Sequence, residues 1–385
     1  MNTNVEKYNN TKNIKKILDN FDYNLINLEI VSENVSILKK LYLKIKKMYM
    51  LIDDSEIQSC ITYNLQDSKI SSSIYKHINS FVNLVGSTKL KKLVNYDKLL
   101  LIDYENIKLY YPYKNDKDMK KDIVQIIKLI KISICLNKLF CPNDTISRVI
   151  IWLPTNSNRD FDYEQIDSQT IQKSIDNFNA FTVSGLTYGG ISNPRYTIIS
   201  RYEEIEKLLI HELIHNYYID GCSHHSHLKN TISEYKNKKS SDNHDYEYSI
   251  YESYTELMST YIFLIFQNIN LPNEQIEKKL LGQIITEIIY SYNLIVNLIK
   301  LNNYKNLEDF MVTQSFKGTI CFYEYYYLKG LMYNHFKICL PQNLQEFNNM
   351  YKEIIKIIKK AETDNLLKYI FNKNIKQKNF KYIYS

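Results

Sequence analysis

Lys207-Leu208-Leu209-Ile210-His211-Glu212-Leu213-Ile214-His215 is the stretch from which the rest of the chain can be read. Its apolar residues recur at helical spacing, and the pattern predicts one helix from Arg201 to Asp220. Glu203, Glu204 and Glu206 stand near the start, where the helix dipole favours anions, and Gly221 stops it. Four helical steps leave His211 and His215 about 40° apart on one face, one turn from each other. Two imidazoles so placed can share one tetrahedral metal ion. Glu212 lies about 100° round from His211, able to reach a metal-bound water without being a ligand. Zinc in such a place lowers the pKa of the water and polarises a carbonyl, and the carboxylate takes the proton. A chance H-E-x-x-H match in a chain of this composition is on the order of one in a hundred. Leu208, Leu209, Ile210, Leu213 and Ile214 bury the helix, and polar groups on a buried helix need partners.

A third ligand is needed. A later predicted helix offers Tyr251-Glu252-Ser253-Tyr254-Thr255-Glu256-Leu257-Met258, with 36 residues between His215 and Glu252. Glu256 is one turn beyond Glu252 on the same helical face, so either carboxylate is a candidate. An acidic pair at this spacing often marks only a solvated face. Tyr251, Tyr254, Leu257, Met258, Tyr261 and Ile262 argue instead for burial.

These two segments resemble the gluzincin clan of H-E-x-x-H zinc metallopeptidases, in particular uncharacterised metallopeptidases encoded by large DNA viruses. The resemblance covers roughly residues 180 to 265. The metzincin pattern would want glycine at 218 and histidine at 221, where this chain has Tyr218 and Gly221. The resemblance implies a zinc ion held by His211, His215 and Glu252. It places Glu256 in the outer shell, orienting a zinc-binding histidine through its other ring nitrogen, and makes Glu212 the catalytic base. It implies hydrolysis of peptide bonds in a peptide or protein substrate through a zinc-bound water. It also implies a substrate paired as an added strand beside the motif helix, on Phe181–Tyr188 or on Arg195–Ile199. The alternative is a non-catalytic zincin-like structural or virion-associated interaction protein, for which an intact Glu212 has no use.

Outward from the motif, Ala180 to Tyr188 and Arg195 to Ile199 predict a hairpin turning at Gly189-Gly190, and Arg148 to Pro154 predicts a buried strand closed by proline. Residues 119 to 140 predict a helix ended by Cys141-Pro142-Asn143-Asp144. Residues 1 to about 115 show mostly helical spacing, with a short strand at Leu99–Asp103. Residues 222 to 247 form a polar excursion, a second helix follows over about 248–268, and the chain is helical from 273 to about 370. The expected fold is therefore α+β and predominantly helical. It divides into a mostly helical region 1–140, a zincin-like core 141–270 with a small mixed sheet and both motif helices, and a helical subdomain 271–385.

Composition narrows the classes. The net charge of +7 is spread over scattered lysines with no long basic run, so nucleic acid is not an expected partner. No apolar run is long enough to span a membrane, and the polar N-terminus lacks a signal-peptide core. Six widely spaced cysteines form no C-x-x-C pair and no disulfide framework. An intracellular protein, or one packaged in a virus particle, is expected. Cys222, His224, His225, His227 and His244 form a second His-rich stretch. It reads as a polar loop, with a second metal site as the sharper option. His77 and His335 are isolated and read as structural. A stabiliser for a developing oxyanion is also required, and Tyr246, Tyr248, Tyr323, Tyr325, Tyr326, Tyr327 and His335 are the candidates.

Overall fold

A computed structural model describes residues 21–64, 68–93, 96, 98–143, 145–155, 173, 176, 183–188, 194–202, 204–224, 226–228, 231, 249–301, 304, 306, 307, 309, 328–360 and 364–373. The described chain is mixed α+β. It runs α1 (Leu28–Leu51), α2 (Asp54–Ser59), β1 (Ile61–Thr62), α3 (Ser68–Val85), α4 (Thr88–Leu93), β2 (Lys98–Tyr104), β3 (Ile107–Tyr113), α5 (Asp116–Phe140), β4 (Arg148–Leu153), β5 (Gly185–Tyr188), β6 (Arg195–Ser200) and α6 (Ile205–Asn216). It continues with α7 (Ser249–Gln267), α8 (Ile276–Leu301), α9 (Lys329–His335), α10 (Leu344–Lys360) and α11 (Asn365–Lys373).

The strands form one six-stranded mixed sheet in the order β1-β2-β3-β4-β6-β5. β3, β4 and β6 are parallel neighbours, while β1–β2, β2–β3 and β5–β6 pair antiparallel. β4 lies at the centre and is buried along its whole length, which is why Arg148–Leu153 reads as a continuous apolar run and not as an alternating one. Its pleat serves two cores. Ile150 and Trp152 join the large core formed with α1, α5, α6, α7 and α8, and Val149, Ile151 and Leu153 join a smaller core under α3 and α4. The large core runs from Phe21 to Ile370, and three strands of the sheet come from before residue 140. None of the described helices is long and apolar enough to cross a membrane.

Two elements differ from their sequence expectation. The strand expected at Leu99–Asp103 is one arm of a hairpin whose second arm, β3, lies in the region read as mostly helical. Its tight turn is Glu105-Asn106, between the paired Tyr104 and Ile107. Glu105 takes φ +54°, a left-handed conformation that sequence signals assign to Asn, Asp or Gly. Pro112 makes β3 look broken, but it lies past Tyr110, the last residue paired to β4. The motif helix is also shorter than Arg201–Asp220. Arg201 and Glu204 both have positive φ, +79° and +59°, so the chain turns sharply after β6 and the helix begins at Ile205. Asp122 of α5 fixes this corner: its Oδ2 accepts the Tyr202 hydroxyl at 2.6 Å and also that of Tyr111. Trp152 Nε1 adds a hydrogen bond to the Arg201 carbonyl at 3.3 Å.

Candidate metal centre

The buried corner aims α6 along the terminal part of the sheet, with α7 packed across it. The far end of α6 is tied to β6, where Arg195 donates to the Asn216 carbonyl at 2.6 Å and Asn216 donates to Thr197 Oγ1 at 3.1 Å. An arginine at the last carbonyls also suits the negative end of the helix dipole. A rigid helix held at both ends keeps one face of imidazoles towards α7.

On that face His211 Nε2 and His215 Nε2 lie 3.3 Å apart. Glu252, in the first turn of α7, places Oε2 3.3 Å from His211 Nε2 and Oε1 3.3 Å from His215 Nε2. His211, His215 and Glu252 are the one group among the described residues whose ligand atoms gather as a metal site would require, all within 4.8 Å. Donors about 2.05 Å from a tetrahedral zinc ion would stand about 3.3 Å from each other, so the spacing and the N, N, O chemistry fit zinc.

Each imidazole is held by a carboxylate on its other nitrogen. His211 Nδ1 lies 3.2 Å from Glu256 Oε2, and His215 Nδ1 lies 2.6 Å from Asp220 Oδ2. An ionised carboxylate only accepts, so each of these contacts calls for the proton on Nδ1, which in a neutral ring leaves the Nε2 lone pair towards the cluster. Asp220 is fully buried and also takes the Thr255 hydroxyl at 3.4 Å. Glu256 is buried too, and its Oε1 accepts from Lys207 and, at 3.2 Å, from Lys329.

Burial opposes the charge of Glu252, but the imidazoles of His215 and His211 outweigh it and hold the carboxyl well below its usual range. Burial likewise opposes Glu256, and Lys207 and Lys329 outweigh it. His211 behaves conversely: burial disfavours its cation, yet the carboxylates of Glu252 and Glu256 raise its pKa above the usual 6.5.

Glu212 is not part of this ligand group. It points from the same helix towards β5, where Thr187 Oγ1 lies 2.9 Å from its Oε2 and 2.9 Å from its carbonyl oxygen. Gly185 leaves the room: a Cβ there would lie 2.5 Å from Glu212 Oε1. Burial pushes the Glu212 carboxyl above its usual range.

The sequence did not single out Asp220, Lys207, Lys329, Gly185 or Thr187. Asp220 falls inside the helix expected from the sequence, whereas the helix ends at Asn216 with Tyr218 at φ +57°. Of the other expectations, His335 is engaged by Asp364 at 3.2 Å, and His77 stacks on Tyr196 with ring centroids 3.9 Å apart. His224 and His227 belong to no ligand group among the described residues. Tyr246, Tyr248, Tyr323, Tyr325, Tyr326, Tyr327, His225 and His244 lie outside the described residues. Compared with known proteins, the chain matches no family model, no curated protein and no solved structure.

Proposed function

We propose that the chain is a zinc-dependent metallopeptidase of the gluzincin type. One observation carries this reading. Two imidazoles and a carboxylate converge within 4.8 Å, while a fourth group, Glu212, is held by Thr187 outside the ligand group and within electrostatic reach of all three. A purely structural site needs no such carboxylate outside its ligand set. The order of elements supports the same reading: a mixed sheet, then the histidine helix, then the glutamate helix, the order the resemblance implies.

His211, His215 and Glu252 hold the zinc ion. Bound zinc supplies Lewis-acid polarisation of the scissile carbonyl and makes water acidic enough to attack near neutral pH. Glu212 accepts the proton of the attacking water at its carboxylate and returns it to the departing amine. A carboxyl raised by burial is better matched to that exchange than an ordinary glutamate. Asp220 and Glu256 keep the Nδ1 protons in place throughout. Of the two strands named as a substrate edge, β6 is internal and β5 is terminal among the described strands. An extended peptide therefore pairs on the outer edge of β5, the strand whose Gly185 and Thr187 already touch Glu212.

Cleavage of a mixed peptide library by zinc-loaded protein, abolished by a chelator and restored by zinc, tests the reading. A zinc-loaded protein that leaves the library intact would count against it. Two finer outcomes follow from the geometry. Gly185→Ala drives a methyl group into Glu212 Oε1, so cleavage falls on the order of 10²-fold while zinc content, read by atomic emission, is unchanged. Zinc affinity falls as pH is lowered, because the proton competes for Nε2. As the His211 pKa lies above 6.5, the loss sets in at higher pH than for two ordinary histidines. Chelator competition across about pH 5.5–8 reads this out.

A further inference from the structure

The group behind His211 is larger than a zinc-holding imidazole needs. Glu256 divides its two oxygens. Oε2 faces His211 Nδ1 at 3.2 Å, and Oε1 receives two ammonium groups, Lys207 Nζ and Lys329 Nζ, the latter at 3.2 Å. The Lys207, Lys329 and Glu256 side chains are 10%, 3% and 11% exposed. Lys207 stands one turn before His211 on α6, and Lys329 opens α9, more than a hundred residues further along the chain. Glu287 of α8 is fully buried within electrostatic reach of both lysines, and neither of its oxygens has a hydrogen-bond partner. Two buried lysines are thus set against two buried carboxyl groups, of which burial raises Glu287 to about 7.

Such a cluster is costly to bury, and apolar side chains of the same volume would hold α6, α7 and α9 together at least as well. What apolar groups cannot do is direct a carboxylate. With Oε1 claimed by two cations, the Glu256 carboxylate cannot rotate away, and Oε2 stays fixed as the acceptor for Nδ1–H. On His215 the Nδ1 carboxylate is Asp220, which takes the Thr255 hydroxyl. Resting on the reading of His211 as a zinc ligand, we infer that Lys207 and Lys329 are positioning residues. They form a buried cationic clamp on Glu256 that fixes the ring of His211 and so sets zinc affinity, and they make the metal centre depend on α9.

The test is a double-mutant cycle on zinc affinity by chelator competition, with far-UV circular dichroism as the control for folding. Lys329→Met keeps volume and removes the charge, and Glu256→Gln keeps shape and removes the carboxylate. Each single change is expected to weaken zinc binding about 10–100-fold. In the double variant Lys329→Met adds nothing further, because the lysine acts only through Glu256. In zinc-loaded protein the Nδ1–H proton resonance of His211 shifts in Lys329→Met while that of His215 does not. Lys207→Met carries the same cycle if Lys329→Met does not fold. Wild-type affinity in Lys329→Met, or fully multiplicative losses in the double variant, would overturn the clamp and leave the zinc site standing. No zinc bound by the wild type would overturn both.

Discussion

Glu212→Gln is expected to lower peptide cleavage by about 10²–10⁴-fold while the protein still binds zinc. The amide fills the same space against Gly185 and can still meet the Thr187 hydroxyl, so the helix and its imidazoles have no reason to move. What it cannot do is accept a proton. Stability provides an independent readout. An acid whose folded pKa is raised weakens the fold above its unfolded pKa, because burial disfavours the charge that the unfolded chain is free to carry. In zinc-free protein Glu212→Gln is therefore at least as stable as the wild type above about pH 4.5, and the advantage grows as pH rises towards the raised value. Urea unfolding at several pH values measures it. Loss of zinc together with loss of cleavage would instead mark Glu212 as a structural or ligand residue.

The second large effect concerns the metal. Glu252→Gln removes the anionic donor and leaves both imidazoles with their outer carboxylates. Zinc affinity should fall by more than the roughly 10–100-fold typical of outer-shell changes, because a ligand itself is lost. Binding to the folded state alone adds stability by mass action, about 4 kcal/mol when zinc stands at a thousand times its dissociation constant. A chelator should thus lower the melting temperature of the wild type by more than it lowers that of Glu252→Gln. Equal chelator shifts in both proteins would place the zinc elsewhere. The variant also tests electrostatics at the site. Without Glu252, His211 loses one of the two carboxylates that raise its pKa, so the pKa falls.

The parts of this centre that show in the sequence are those set by helical periodicity. His211 and His215 are four residues apart, and Glu252 and Glu256 are four apart, so local geometry alone puts each pair on one face. The strand at Arg148–Leu153 and the antiparallel pair β5–β6 also show, through a buried apolar run and two apolar segments close in sequence, while the turn expected at Gly189-Gly190 lies outside the described residues. Residues joined only by tertiary structure do not show. Lys329 reaches Glu256 from a separate helix, and in the sequence it is one lysine among many. Gly185 matters because a helix passes it at contact distance, which no strand pattern records. Asp220 required knowing that left-handed turns end α6 early and fold the chain back under His215. β3 was hidden by a turn with neither Gly nor Asp and by a proline placed where no ladder bond is needed.

X-ray absorption at the zinc edge, on wild-type protein loaded with one equivalent of zinc, goes to the centre of this account. The expected spectrum has a shell of nitrogen and oxygen at about 2.0–2.1 Å with the outer-shell scattering of two imidazoles, and that scattering drops by half in His215→Ala. A wild-type protein that retains no zinc after dialysis, or a zinc shell of sulfur at about 2.3 Å, would contradict it.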